Sequence, residues 1–342
     1  MGVNLTELLH PTPISFQDLK GKIIAIDTSL FLYQFLSSIR QRDGGLFTTS
    51  EGVVTSHLIG LFSRTTLLMK KGIKMAYVFD GEPPQLKLVE LQRRKEIKIE
   101  SQKKYDEANK RKDEAEMRKY AGRTSRLTPQ MIEQSKEVLE LLGIPLVQAP
   151  SEAEAQASFL VKNTDAFAVA SQDTDCLLYG TPRLVRNLSA TARRKRPGML
   201  ASSPSEPEIL ELSETLNLLG LDHDQLICLG MLVGTDFNVG GIKGLGPKTG
   251  LKIIKTFGKD FDGLFRHVKW NEFFGASWKE VFNLIRHMPV TKDYSLTWKK
   301  PQLSRLEQLL IHTYEFSEDR VLSSLAGLDH EPKQKGLGDF LQ

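Results

Sequence analysis

Short apolar segments that end near acidic residues alternate with amphipathic segments through the first half of the chain. Four of these segments have the unbroken apolar character of buried parallel strands: Lys22–Asp27, Met75–Asp80, Pro145–Ala149 and Ala166–Asp173. Helical spacing lies between them, at Leu30–Arg40, Val53–Lys71, Pro129–Leu142 and Ala153–Val161. This alternation predicts an α/β fold whose mainly parallel central sheet is covered by helices on both faces.

Helical spacing dominates the second half of the chain. It covers Glu206–Leu219, Asp224–Leu232, Pro247–Phe257, Ser277–His287 and Leu303–Ala326. The segment GGIKGLGPKTG, residues 240–250, lies between the second and third of these helices, so it is neither a P-loop nor a dinucleotide fingerprint. A glycine-rich turn that opens a helix can seat a phosphate, and Lys243, Lys248 and Lys252 lie near it. A tight turn between packed helices is an equally good interpretation.

Residues 86–126 are almost entirely charged. They hold fourteen Lys and Arg against eight Asp and Glu, a balance of +6 that exceeds the +4 of the whole chain. One interpretation is a solvated helical hairpin held by i, i+4 pairs. The other is a mobile basic helical segment over a ligand crevice, where it contacts phosphates.

Acidic residues recur where the predicted strands end. The full set is Asp27, Asp80, Glu152, Glu154, Asp173, Asp175 and Asp236. Carboxyl ends of parallel strands meet at one edge, where ligands bind in such sheets. Ser151 and Glu154 also fit a capping box, which by itself would explain Glu154 but not Glu152.

So many carboxylates in one crevice repel one another. Two like charges about 4 Å apart cost roughly 4 kcal/mol at an effective dielectric near 20. Either some are protonated, or hard divalent cations neutralise them, and an all-oxygen ligand set suits Mg²⁺ or Mn²⁺. Two such cations can activate water and stabilise a leaving oxygen. The pattern therefore predicts a metal-dependent phosphodiesterase that acts on nucleic acid.

The composition limits the class of protein but does not indicate its function. The 342 residues are 40% hydrophobic, and no apolar run approaches 18 residues, so we expect a soluble protein with no membrane segment. The mildly basic pI of about 8.8 permits a polyanionic partner. Cys176 and Cys228 lie in apolar contexts, which favours buried thiols in a reducing compartment.

A series of motifs resembles the flap structure-specific endonucleases, most closely their archaeal branch. In chain order the motifs are IAIDTSLFLYQF, TSHLIGLFSRT, YVFDGEPPQLK, GIPLVQAPSEAEAQ, ASQDTDCLLYG, LVGTDFNVGGIKGLGPKTG and KQKGLGDFLQ. The resemblance implies a PIN-like nuclease core with a helical arch and a helix-two-turn-helix region. It also implies two-metal hydrolysis of branched DNA with a 5′ flap, with 5′–3′ exonuclease activity, in Okazaki fragment maturation and base excision repair.

The resemblance also implies roles for individual residues. The seven acids named above match metal-site positions, for two Mg²⁺ ions that Mn²⁺ can replace, and Lys87 and Arg94 match cations that engage the scissile phosphate. The positions implied to contact DNA are Gly2, Tyr33, Arg40, Thr55, Arg64, Lys243, Gly244, Gly246 and Lys248. Tyr33 would stack on the terminal base pair, and Gly2 would lie near the active site once Met1 is removed.

The resemblance further implies domain limits and partners. Residues 1–326 would form a single nuclease domain, with an N-terminal region at 1–100, an arch at 82–128, an internal region at 129–260 and the helix-two-turn-helix at 222–258. Residues 327–342 would be a flexible tail in which Gln334, Leu337, Phe340 and Leu341 bind a sliding clamp. We expect a monomer that is cytoplasmic in an archaeon, at replication sites, or nuclear in a eukaryote.

Other interpretations of the sequence remain open. A related 5′ exonuclease or a bubble-cutting nuclease shares the same acids, although the short arch argues against the second. A D-x-D phosphatase would need a threonine where Leu177 stands. A DNA- or clamp-binding scaffold with a dead site would usually have lost some acids, whereas all seven are present.

Overall fold

A computed structural model describes residues 2–188, 193–194, 203–204 and 206–328. The strands are β1 (Thr12–Pro13), β2 (Ile23–Asp27), β3 (Lys74–Phe79), β4 (Leu146–Gln148), β5 (Ala168–Ala170), β6 (Arg183–Arg186), β7 (Arg193–Arg194), β8 (Ser203–Pro204) and β9 (Glu208–Glu211). The helices of the first half are α1 (Thr28–Ser38), α2 (Ser56–Lys70), α3 (Leu88–Lys110), α4 (Glu114–Ala121), α5 (Pro129–Leu141), α6 (Ala153–Lys162) and α7 (Asp175–Leu178). Those of the second half are α8 (Leu212–Leu219), α9 (His223–Val233), α10 (Pro247–Phe257), α11 (Phe261–His267), α12 (Trp270–Phe273), α13 (Trp278–Arg286), α14 (Leu303–Glu307) and α15 (Glu318–Leu325).

Seven strands form the central sheet in the order β1-β9-β6-β5-β2-β3-β4. The five strands from β6 to β4 are parallel, and β9 and β1 continue the sheet antiparallel at one side. The predicted mainly parallel sheet is therefore confirmed. Because β2 lies between β5 and β3, its carboxyl end is at the centre of the strand-end edge.

Each face of the sheet has its own apolar core. Side chains alternate along a strand, so Ala25 of β2 faces one core while Ile24 and Ile26 face the other. Helix α6 packs against β2, β3 and β5 on the Ala25 side, next to α9 and α13. Helices α1, α2 and α5 cover the opposite face. A sheet buried on both faces gives the strand ends a fixed position.

Several predicted elements need correction in the second half. The segment predicted as a helix from Glu206 begins with strand β9, which pairs with β6, and only then becomes α8. The predicted helix Leu303–Ala326 is broken into α14, a π-helix at Gln308–Thr313 and α15. Strand β6 was not predicted. In the first of these segments the apolar spacing also fits a helix, and the strand depends on its pairing with β6.

Residues 86–126 form two helices. Helix α3 has 23 residues and buries only Glu90, Ser101 and Ala108, and α4 returns alongside it. The charged segment is thus helical, as both interpretations of the sequence required.

The glycine-rich turn joins α9 to α10. Helix α9 begins with a capping box in which Asp222 and Gln225 bond reciprocally, and α10 begins with Pro247 after Gly246. No single helix within the described ranges is long and apolar enough to cross a membrane. Only α8 and α9 together reach that length and composition, and they are bent by 78°. The predicted clamp motif, Gln334, Leu337, Phe340 and Leu341, lies outside the described residues.

Candidate active site at the strand-end edge

Asp27 and Asp80 are placed by two neighbouring parallel strands. Asp27 is the last residue of β2, and Asp80 directly follows β3. Asp27 is only 5% exposed, and its Oδ1 accepts a hydrogen bond from the amide of Leu30 at 3.2 Å. Asp27 therefore also caps α1, which does not exclude a second role, since its other oxygen is not used by this cap.

The capping box predicted at Ser151 is wrong. Helix α6 has Glu152 as its N-cap residue, without a side-chain cap bond of its own. The hydroxyl of Ser151 instead donates to the carbonyl of Glu82 at 3.0 Å, and Oδ1 of Asp80 accepts from the amide of Ala153 at 2.8 Å. A carboxylate from the adjacent strand end thus supplies the cap, and Glu154 is not needed for it.

Glu154 points toward the remaining acids. Its Oε1 lies 3.3 Å from the Ser171 hydroxyl, which donates to it, and 3.7 Å from the thiol of Cys176. Ser171 also accepts from the amide of Asp173 at 3.0 Å. This serine follows β5, so it fixes the loop that carries Asp173 relative to α6.

The chain start reaches the same edge. The amide of Gly2 donates to Asp173 at 2.5 Å, and the amide of Val3 donates to Asp175 at 2.6 Å. A Cβ atom added at Gly2 would overlap the carboxylates of both Asp173 and Asp175. A side chain at this position would therefore displace both carboxylates, and Gly2 lies directly against two of the predicted metal-site acids.

The strand-end edge is short of positive charge. Burial, with Asp80 and Asp173 nearby, raises the pKa of Asp27 to about 8. Burial and the negative charge of Asp173 also raise the pKa of Glu154 and of Asp175 well above their usual values. These neighbouring charges show that the structure brings the acids together, and that their ionised forms need cations.

Two cations from the arch side partly meet this need. Lys87, just before α3, forms ion pairs with Glu152 and, at 3.3 Å, with Asp236. Arg94 of α3 donates from Nη2 to Asp236 at 2.5 Å. Although burial opposes its charge, Glu152 and Asp236 hold the pKa of Lys87 above its usual value. Lys87 and Arg94 thus lie at the strand-end edge, paired with Glu152 and Asp236.

The donor set fits hard divalent cations by its chemistry. All seven acids offer carboxylate oxygens, and their mutual repulsion is the kind that Mg²⁺ or Mn²⁺ relieves. As positioned, however, no three His, Cys, Asp or Glu side chains in the described part of the chain converge as a ready coordination sphere. Several of the oxygens accept hydrogen bonds from backbone amides or pair with Lys87 and Arg94 instead. Binding of metal would therefore require these side chains to turn.

Four residues predicted to contact DNA lie on or near α1 and α2. The ring of Tyr33 is covered by Lys98 of α3, whose Nζ lies 4.7 Å from the ring centroid. Arg40 is used inside the protein, because it donates to the carbonyls of Leu36 and Gly44 and to the hydroxyl of Ser125.

Thr55 and Arg64 are each only 4% exposed. Arg64 lines a cavity of about 750 Å³ between α1, α2 and α15. Direct DNA contact by Arg40, Thr55 or Arg64 would need these side chains to rearrange.

The predicted contacts of the glycine-rich turn are accessible. Lys243, Gly244, Gly246 and Lys248 are all exposed, and Gly244 has a φ of 86° that favours glycine. Lys248 pairs loosely with Glu7 at 3.5 Å. These groups could meet a phosphate without any change in the fold.

Three residues of this region were not predicted from the sequence. They are Ser171, which holds Glu154 and Asp173, Lys98, which covers Tyr33, and Glu90, which pairs with Arg94. Only Glu90 left a signal in the sequence, since it stands four residues before Arg94.

Known proteins resemble this chain over nearly its whole length. The XPG N-terminal domain family matches residues 1–101, and the XPG I-region family matches residues 143–236. Flap endonuclease 1 of Pyrococcus abyssi is 47% identical, with 96% of this chain and 94% of the relative covered. Flap endonuclease 1 of Hyperthermus butylicus is 46% identical over the same shares. The chain belongs to the flap endonuclease family of XPG nucleases.

Solved structures of the family share the fold. The flap endonuclease-1 from Methanococcus jannaschii superposes with a TM-score of 0.75 at 39% identity, covering 96% of this chain and 98% of that one. The catalytic core of Rad2 in complex with DNA substrate superposes with a TM-score of 0.68 at 25% identity, covering 94% and 96%. The predicted XPG/PIN-like nuclease fold is thereby confirmed.

Proposed function

We propose that this member of the flap endonuclease family hydrolyses one phosphodiester at the junction of single- and double-stranded DNA in a substrate with a 5′ flap. The observation that carries the proposal is the strand-end edge itself, where seven acids gather beneath Lys87 and Arg94. Membership of a family whose close relatives are named flap endonucleases supports the substrate class. The corresponding cellular roles would be Okazaki fragment maturation and base excision repair.

Two Mg²⁺ ions would be held by Asp27, Asp80, Glu152, Glu154, Asp173, Asp175 and Asp236. Metal ions bound there supply an activated water and charge stabilisation for the leaving oxygen. The chain's own part is to bring the carboxylates to one edge, from the ends of β2 and β3, the loop after β5, the start of α6 and the turn after α9. A donor set without histidine or cysteine favours Mg²⁺ or Mn²⁺ over zinc.

When DNA binds, Lys87 and Arg94 would exchange their carboxylate partners for the scissile phosphate. Both cations lie within reach of the carboxylates, and a phosphate offers a better bidentate partner for a guanidinium than a single aspartate oxygen does. Tyr33 would stack on the terminal base pair after Lys98 leaves its ring. The exposed glycine-rich turn with Lys243 and Lys248 would hold the duplex.

Cleavage of labelled DNA tests this function directly. The full chain is incubated with double-flap, single-flap, bubble and plain duplex DNA, with Mg²⁺ or with EDTA. We expect Mg²⁺-dependent incision of the flap substrates at the junction, with little cutting of the plain duplex. Preferred cutting of the bubble, or exonuclease products alone, would contradict the flap-specific proposal.

A sliding clamp is a second proposed partner. Gln334, Leu337, Phe340 and Leu341 follow the charged segment DHEPKQK and match the spacing of a short clamp-binding peptide. Calorimetry with the cognate clamp would compare the intact chain with a chain truncated after Leu328. Equal affinities would show that the tail does not bind the clamp.

Phe340→Ala should remove clamp-stimulated cleavage without changing clamp-free cleavage, because a buried aromatic anchor is a typical interface hot spot. The domain limits given above, the monomeric state and a location at replication sites remain part of the same proposal.

A further inference from the structure

Glu90 is the acidic side chain that α3 buries. The other acids of this helix are exposed, whereas Glu90 is 2% exposed. A carboxylate is tolerated in such a place only when it is paired and hydrogen-bonded. Its partners therefore indicate why it is there.

Both partners are arginines of the same helix. Oε1 of Glu90 accepts from Nε of Arg94 at 2.6 Å, while Arg93 donates from Nε and Nη2 at 2.6 and 2.9 Å. Nη2 of the same guanidinium donates to Asp236. Because a guanidinium is a rigid planar fork, a bond at Nε fixes the direction of its Nη groups.

Glu90 alone does not cancel the charge of Arg94. Glu90 carries one negative charge and contacts two arginines, so the group of Glu90, Arg93 and Arg94 keeps a net charge of +1. Arg93 lies on the solvent side, with 44% of its side chain exposed, and Arg94 lies on the side of the acids. Glu90 can thus hold Arg94 in place without cancelling its charge.

We propose that Glu90 is a positioning residue that orients the guanidinium of Arg94 toward the scissile phosphate. The proposal rests on the proposed function, because it assumes that Arg94 meets that phosphate. Among the described residues, the hydrogen bonds and ion pairs of Glu90 go to Arg93 and Arg94 and not to the acids of the strand-end edge. Its loss would let Arg94 swing, and a small misplacement of a group at a reacting centre is costly.

Helix α3 offers a matched control. Glu100 and Lys104 form an i, i+4 pair at 2.6 Å, the same spacing and distance as Glu90 and Arg94, but their side chains are 66% and 47% exposed. An exposed pair of this kind contributes little. Glu100→Gln therefore removes a helix ion pair of the same geometry without touching Arg94.

The experiment is a double-mutant cycle in single-turnover flap cleavage with Mg²⁺. Glu90→Gln, Arg94→Ala, the double variant and Glu100→Gln are compared, with helix content checked by circular dichroism. We expect Glu90→Gln to slow cleavage about 10- to 100-fold, to change DNA affinity by less than about twofold, and to have no further effect when Arg94 is already alanine. Glu100→Gln should cleave at the wild-type rate.

The outcomes of this experiment distinguish a positioning role of Glu90 from helix stabilisation and from failure of the proposed function. Additive losses in the double variant would show that Glu90 only stabilises the helix, and a wild-type rate for Glu90→Gln would also overturn the proposal. If the wild-type protein did not cleave flaps at all, the proposed function would fail instead. In that case the Nε–H resonance of Arg94 in a ¹⁵N spectrum tests the positioning role without cleavage. A shift of this resonance in Glu90→Gln but not in Glu100→Gln supports the positioning role, and an unchanged resonance refutes it.

Discussion

The protein presents its cations in two contrasting settings. At the strand-end edge, Lys87 is 15% exposed and paired with Glu152 and Asp236, and Arg94 is bound to both Glu90 and Asp236. At the glycine-rich turn, Lys248 is 73% exposed and its partner Glu7 is 63% exposed. Lys87 and Arg94 are thus positioned by a network of side chains. Lys248 and Glu7 form an exposed pair in water.

This contrast separates two tasks that a nuclease must perform. A screened, exposed lysine contributes to affinity for any phosphate backbone, with no demand on its orientation. A partly buried cation over carboxylates acts in a region of low dielectric, where its position matters much more. Substitutions at the strand-end edge should therefore change the cleavage rate, and substitutions at the glycine-rich turn should change DNA affinity.

The largest effect is expected from the acids beneath Lys87. Asp175→Asn or Asp80→Asn keeps the size of the side chain but removes a negative charge that the metal ions would need. Mg²⁺-dependent cleavage in single-turnover assays should fall by several orders of magnitude, while binding of flap DNA measured by fluorescence anisotropy stays close to wild type. Asp262→Asn, which breaks a surface pair with Lys279, is the matched control and should cleave normally. Cleavage retained in both active-site variants would disprove metal-dependent catalysis at this edge.

Lys87→Ala should have the next largest effect. Loss of one preorganised charge at the reacting group typically costs about 10²-fold in rate. We therefore expect slower single-turnover cleavage with nearly unchanged affinity for duplex and flap DNA, and Lys279→Ala as a control without effect. If Lys87→Ala weakened binding as much as it slowed cleavage, Lys87 would belong with the exposed lysines of the turn.

The sequence predicted the central strands and the acids well. Strands β2 and β3 start and end within one residue of the predicted limits, because strands buried on both faces are continuously apolar. The acids at their ends follow from the rule that parallel strands present one edge to ligands. Strand β9 was mistaken for part of a helix, since its assignment depends on pairing with β6, which is remote in sequence.

The errors at the site have a similar cause. Ser151 and Glu154 have the spacing of a capping box, but Asp80 reaches the amide of Ala153 from a strand about seventy residues earlier. Glu90 shows its spacing to Arg94 in the sequence, but its burial depends on the packing around α3. Local patterns thus identify residue types, and long-range contacts decide which oxygen meets which donor.

Burial should also show itself in the pH dependence of stability. Burial of His57 on α2 lowers its pKa from 6.5 to about 4, and Gln134 offsets only part of this shift. The imidazole is neutral in both states above pH 6.5. As the pH falls toward 4, the unfolded chain binds a proton that the native protein does not, so stability decreases.

Urea unfolding at pH 7 and pH 5 measures this loss. The contribution of His57 should be about 2 kcal/mol across this interval, seen as the difference in pH dependence between the wild type and His57→Leu. His10→Gln, which replaces an exposed histidine, is measured in parallel as the control substitution. Equal pH dependence in wild type and His57→Leu would show that His57 is not held neutral by burial.

The smallest effect is expected at the exposed turn. Lys248→Ala removes one cation that contacts solvent and Glu7, so the fold and the acids should be unaffected. If Lys248 meets one backbone phosphate, the slope of log affinity against log salt should decrease in magnitude by about 0.9, with the same change for flap and plain duplex DNA. Cleavage at saturating protein should stay at the wild-type rate, in contrast with Lys87→Ala. Anisotropy titrations at four salt concentrations measure the slope, with Lys279→Ala as the exposed-lysine control. An unchanged slope would mean that the glycine-rich turn serves only to pack α10 against α9.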